Sequence, residues 1–184
     1  TTLFRSQQYL QFPEHEEILY AEQLEVNNSA LRRDILLGET TPKNRAMAAL
    51  LSPFLYQPFF TEMRTNQQLG YIAAAGAAPL NAYQAYFYFI LQSATHTADD
   101  VAGRVSAFVA TVPAMLEAVP AAAFDELKAA AIEELKQKEK TIAEKASVFN
   151  TLAFTHQGDF ARKQETIAAL EALTQQEVLV ALTA

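Results

Sequence analysis

The segment AYQAYFYFILQS, residues 82–93, constrains the fold more than any other stretch. At strand spacing Tyr83, Ala85, Phe87, Phe89 and Leu91 fall on one face, and Tyr86, Tyr88 and Ile90 on the other. Both faces are apolar, so the segment reads as an interior strand covered on each side. The rest of the chain must supply neighbours for both edges and both faces.

Candidates for the edges lie upstream. Residues 17–26, EILYAEQLEV, and 30–37, ALRRDILL, read as two strands joined through Asn27-Asn28-Ser29, which has turn chemistry. Residues 68–78 read as another strand, with a turn at Ala78-Pro79-Leu80-Asn81. Thr41-Pro42 opens a helix, with Thr41 as N-cap and Pro42 at the first position. Met47, Leu50, Leu51, Phe54 and Leu55 keep its helical spacing. Pro53 predicts a kink and Pro58 a break, with a short helix resuming to about residue 65. Beyond residue 97 the pattern is helical: 98–118, 121–138, 141–156, 163–173 and 175–183. Gly158-Asp159 closes the third of these, and Thr174 with Glu177 makes a capping box for the last.

Strands come early and helices late. That order predicts an α+β fold, an antiparallel sheet with helices packed on one face. The second apolar face of the aromatic strand then needs a cover from elsewhere, such as a neighbouring domain.

The 184 residues suit a single domain, and 51% hydrophobic content suits a packed core. A net charge of −7 disfavours nucleic acid and anionic membranes as partners. No apolar run approaches the roughly 20 residues of a bilayer span. The absence of cysteine excludes disulfides, thiolate catalysis and Cys-based zinc sites. Acidity without cysteine fits bacterial periplasm or cytoplasm alike. His15, His96 and His156 lie in three segments, without the spacing of a metal site. No G-x-S-x-G and no glycine-rich phosphate loop occurs, so no complete active site is legible.

RTNQQLGY, residues 64–71, stands out between two apolar segments. Arg64 in a last helical turn favours the helix dipole, Gly70 eases the entry into a strand, and Tyr71 suits a strand aromatic. A purely structural role therefore accounts for all three residues.

The wider stretch PFFTEMRTNQQLGYIAAAG, residues 58–76, resembles the pattern P-x-F-x-x-L-R-T-x-x-Q-L-G-Y-x-V of the insulinase/pitrilysin family of zinc metallopeptidases. Arg64, Thr65, Gln68, Leu69, Gly70 and Tyr71 match position for position. LYAEQLEVNNSA at 19–30, the strand ending Leu91-Gln92-Ser93 and FDELKAAAIEEL at 124–135 fall in register with the same family. Ala73-Ala74-Ala75 is smaller than the family's bulky residues there.

The resemblance is to the last of four related domains, of the LuxS/MPP-like metallopeptidase fold. It implies that residues 1–184 are one domain, a C-terminal piece of a larger peptidase. The inverted zinc motif H-x-x-E-H belongs to the family's first domain, and this chain lacks it, so it is expected to be inactive alone and to bind no metal. Zinc in the parent enzyme would lie outside it. The partners implied are a peptide or small protein substrate and the N-terminal half of the same polypeptide, closing into a chamber. Arg64 and Tyr71 would carry the catalytic and substrate-binding role, contacting the substrate backbone near the scissile bond. Two alternatives share the resemblance: a zinc-less scaffold or partner subunit, and a processing peptidase for a cofactor-precursor peptide.

Overall fold

A computed structural model of the chain describes residues 18–23, 25–79 and 83–183. Three strands form one antiparallel sheet: β1 (Ser29–Glu39), β2 (Ala73–Pro79) and β3 (Gln84–Ser93). Six helices accompany them: α1 (Pro42–Phe60), α2 (Ala98–Glu117), α3 (Ala121–Lys136), α4 (Ile142–Asn150), α5 (Arg162–Ala172) and α6 (Gln175–Thr183). The fold is α+β, as the order of elements predicts.

β3 is the central strand, in the order β1-β3-β2. Its pairing sets Leu31, Leu91 and Ala73 side by side, then Arg33, Phe89 and Ala75, then Ile35, Phe87 and Ala77. Phe87, Phe89 and Leu91 are buried with Ala73 and Ala75. Phe59 of α1 meets Phe89 edge-on at 5.3 Å and Phe108 of α2 at 5.1 Å, so the two helices close over β3 at one aromatic junction. The small Ala73 and Ala75 leave room for α1 to lie against β2. There the Ser52 hydroxyl accepts a hydrogen bond from the Ala77 N–H at 3.2 Å.

The opposite face of β3 is the one for which the sequence predicts a cover from elsewhere. Tyr86, Tyr88 and Ile90 are half-buried there. Their apolar surface is shielded by neighbours within the sheet: the Arg32 guanidinium lies 5.4 Å from the Tyr86 ring centroid and 5.8 Å from that of Tyr88. It also donates to the Tyr86 hydroxyl at 2.7 Å.

Two further expectations are corrected. Of the segment 17–26, residues 18–23 form no strand and are exposed, while residues 17 and 24 lie outside the described residues. β1 takes its ladder from β3 instead, and a strand with neither a partner nor a face to bury does not persist. Pro58 does not break α1, which runs through Pro53 and Pro58 to Phe60. Each proline removes only its own N–H from the ladder, and the helix passes directly into a π-helical turn, Thr61–Asn66. The turn expected at 78–81 lies partly outside the described residues.

The caps agree with the sequence. Thr41 accepts from the Asn44 N–H, and Pro42 follows it. Thr174 and Glu177 exchange hydrogen bonds at the start of α6. Gly158, at φ +82°, closes a second π turn, Thr151–Thr155, which follows α4.

Candidate functional site

The first π turn positions the residues singled out by sequence. Met63 and Leu69 are fully buried and fix its two flanks in the core. The Gln67 N–H donates to Glu62 O at 3.0 Å, and the Leu69 N–H to Met63 O at 3.0 Å. Gln68 closes the loop in the left-handed region, at φ +51°. Asn and Asp are the usual side chains there, so a glutamine marks a backbone held by its surroundings.

Gly70 then passes against the end of β3. A Cβ at this position would fall 1.7 Å from the Gln92 carbonyl oxygen, so only glycine fits. Immediately after it, Gln92 N–H donates to Ile72 O at 3.0 Å and starts the β2–β3 pairing. Strand β2 begins at Ala73, because residues 67–72 are spent on this turn.

Arg64 and Tyr71, seven positions apart, are brought into contact by that geometry. The Arg64 guanidinium carbon lies 4.6 Å from the Tyr71 ring centroid and 5.0 Å from that of Phe60. Tyr56 stacks on Phe60 at 6.1 Å, one helical turn earlier. Tyr71 is 80% exposed and Arg64 half-buried. Among the described residues Arg64 has no hydrogen bond and no ion pair, so its N–H donors are held in place by ring faces and left unused. A guanidinium and a phenol side by side at the surface can both donate to one carbonyl, carboxylate or developing oxyanion. Phe60 also matches the F of the family pattern and stands i,i+4 to Arg64, yet sequence reasoning did not single it out.

A polar chain supports the turn from behind. Glu62 accepts from Asn66 Nδ2 at 2.7 Å and from Gln67 Nε2 at 2.8 Å. These two bonds hold the Glu62 carboxyl below the usual range. Gln67 Oε1 accepts from Arg104 Nη1 at 2.8 Å, and Arg104 Nε donates to Asp100 at 2.9 Å.

The histidines stay apart. His96 Nδ1 sits 2.9 Å from Thr95 Oγ1, with Asp100 3.9 Å from its other nitrogen. His156 follows the second π turn, its Nδ1 buried without a partner. Burial, and after it the positive charge of Arg162, push its pKa down. His15 lies outside the described residues. Among the described residues no group of three or more His, Cys, Asp or Glu could hold a metal ion.

Residues 50–150, which span the π turn and Arg104, match the family model described as PQQ synthase PqqF-like, C-terminal lobe domain 4. The chain is 28% identical over 172 residues to insulin-degrading enzyme of Homo sapiens, covering 92% of this chain and 17% of that protein. It is 24% identical over 152 residues to the A-factor-processing enzyme of Saccharomyces cerevisiae, covering 83% of this chain and 15% of that one. The chain thus spans about one-sixth of the length of these curated relatives. In fold it is similar to the crystal structure of pitrilysin, with a TM-score of 0.75 at 24% identity over 86% of this chain and 17% of that one. It is also similar to the periplasmic protease PqqL from Escherichia coli, with a TM-score of 0.63 at 14% identity over 87% of this chain and 18% of that one. Family model, relatives and fold agree: the chain belongs to the PqqF-like C-terminal lobe domain 4 family, and is a C-terminal domain of the insulinase/pitrilysin type.

Proposed function

We propose that residues 1–184 are one domain of a longer peptidase, and that this domain completes a substrate chamber in which Arg64 and Tyr71 hold the peptide backbone beside the scissile bond. The observation that carries this reading is the contact between the two residues. Both match the family pattern, both lie at the surface, and the guanidinium N–H groups are unspent.

The chemistry follows from the donors. When water attacks a peptide carbonyl, negative charge develops on its oxygen. A donor fixed where that charge grows lowers the transition state more than the ground state, by about 3 kcal/mol per bond. The rings of Phe60 and Tyr71 restrict Arg64 without using its hydrogen-bonding capacity, which is what preorganisation requires. Zinc, where the parent enzyme holds it, would be bound outside this chain and would supply the activated water. Peptide substrate and N-terminal half are the partners of this reading.

The test is kinetic. In the full-length protein, Arg64→Ala and Tyr71→Phe should each lower kcat/KM by about 100-fold, the cost of one such donor. If both variants stay within twofold of the parent, the pair has no role in turnover.

One observation favours a second reading within the same class, a processing peptidase for a cofactor-precursor peptide: the matching family model is described from a PQQ synthase. Digestion of candidate precursor peptides separates it from a general endopeptidase. A scaffold without zinc would differ from both by lacking H-x-x-E-H in its parent reading frame.

A further inference from the structure

Arg64 stands on a turn that ordinary helical geometry does not stabilise. A π turn spaces its hydrogen bonds five residues apart, and here it ends in a left-handed glutamine, Gln68. Such a backbone persists only where its surroundings hold it. Met63 and Leu69 set its depth in the core, but two apolar anchors do not fix the angle of the segment between them.

That angle is set by polar groups. Glu62 and Gln67 are linked twice: through the backbone at 3.0 Å and through Gln67 Nε2 to Glu62 Oε1 at 2.8 Å. The free oxygen of the same Gln67 amide accepts from Arg104 Nη1 at 2.8 Å. Arg104 is held in turn by Asp100, whose N–H is capped by Thr97 at the start of α2. Val101 and Val105, both fully buried, anchor that helical turn in the core. A rigid helix is therefore tied, through one amide side chain, to the two residues that flank Arg64.

We propose that Arg104 and Gln67 are positioning residues for Arg64: the Asp100–Arg104–Gln67–Glu62 chain sets the angle of the π turn, and so the direction in which the guanidinium is presented. Its catalytic consequence rests on the role proposed for Arg64 above. Neither residue touches substrate. Gln67 uses both ends of its amide at once, so no apolar side chain can replace it, and Arg104 makes the hydrogen bond that joins this turn to α2.

The test has two arms. In the full-length protein, Gln67→Leu and Arg104→Leu should each lower kcat about tenfold, as a displaced catalytic group does, while KM stays within about twofold because no substrate contact is lost. Arg104→Lys keeps one donor for Gln67 and should recover most of the loss. In the chain itself, the Arg64 Nε–H resonance should be displaced upfield by the rings of Phe60 and Tyr71. In Arg104→Leu it should move towards its unstacked value, with the Phe59, Phe89 and Phe108 ring signals unchanged. If Arg64→Ala lowers turnover but Gln67→Leu and Arg104→Leu do not, positioning is wrong and the role of Arg64 stands. If Arg64→Ala has no effect while Arg104→Leu still shifts the Arg64 resonance, the mechanical link stands and the catalytic role fails. An Arg64 resonance unmoved in both Leu variants overturns the proposal.

Discussion

The chain uses one backbone device twice, with opposite results. After α1 and again after α4, a helix widens into a π turn and ends at a glutamine with positive φ, Gln68 at +51° and Gln157 at +54°. The first turn is fastened on every side: Met63 and Leu69 in the core, Gly70 against β3, Gln67 to α2. The second has no buried residue, nor does α4 before it, and Ile142, Phe149, Phe154 and Phe160 are exposed around it. A wide turn is therefore not in itself a site. Packing behind the first turn converts an unusual backbone into a fixed surface geometry.

The sharpest way to break this contrast is at its two glycines. Gly70→Ala should destabilise by about 3 kcal/mol or more, because the new methyl meets the Gln92 backbone and β2 must move. Gly158→Ala has open space, its nearest neighbour being Phe160 at 3.9 Å, and should cost only the about 1 kcal/mol of a left-handed alanine. Urea unfolding midpoints compare them directly, and equal losses would remove the distinction. Next in size, Met63→Ala should cost about 2–5 kcal/mol as a core truncation. Phe154→Ala, at a side chain 71% exposed, should change stability by less than about 0.5 kcal/mol. Between these two falls Arg64→Ala, which should cost about 0.5–1 kcal/mol through the lost ring contacts, far less than its expected effect on turnover. A large drop in Tm would make Arg64 a structural residue first.

The smallest effects are in pH, and they separate the two turns by window. Glu62 has a depressed pKa in the fold, through the bonds from Asn66 and then Gln67. Its contribution is present above the ordinary value of 4.5 and is lost as pH falls through the lower folded value. His156 is depressed chiefly by burial, so the unfolded chain binds a proton first as pH falls through 6.5. Stability near the second turn then declines below pH 6.5, where Glu62 is still fully ionised. His156→Gln should reduce the slope near pH 6 and Glu62→Gln the slope below 4.5, where Glu177, lowered to about 2, also contributes; both are visible in unfolding free energy against pH.

Much of this was legible in the sequence because it depends on local chemistry. Thr41-Pro42, Gly158 and Thr174 with Glu177 are end signals that work within a few residues. The apolar periodicity of 98–118 and 121–138 found α2 and α3 to within two residues. Arg64, Gly70 and Tyr71 were legible only as a pattern; their contact depends on a turn that neither propensity nor periodicity encodes. Pro58 misled because proline's cost falls on its own hydrogen bond, while the helix around it was held by buried Leu55 and Phe59. The strand expected at 17–26 has the right composition, but pairing is a property of two segments, and β1 pairs with β3. On the second apolar face of β3 the Arg32 guanidinium lies over the rings of Tyr86 and Tyr88, a contact that strand periodicity does not encode. Arg104 could not be found at all, since its partner Gln67 is 37 positions away.

The Ser52 hydroxyl on the Ala77 N–H has a consequence for how this sheet can grow. A side chain from α1 takes the donor that an incoming strand would need, and the helix lies where such a strand would run. At Ala77, then, the β2 edge is closed to lateral extension by another polypeptide.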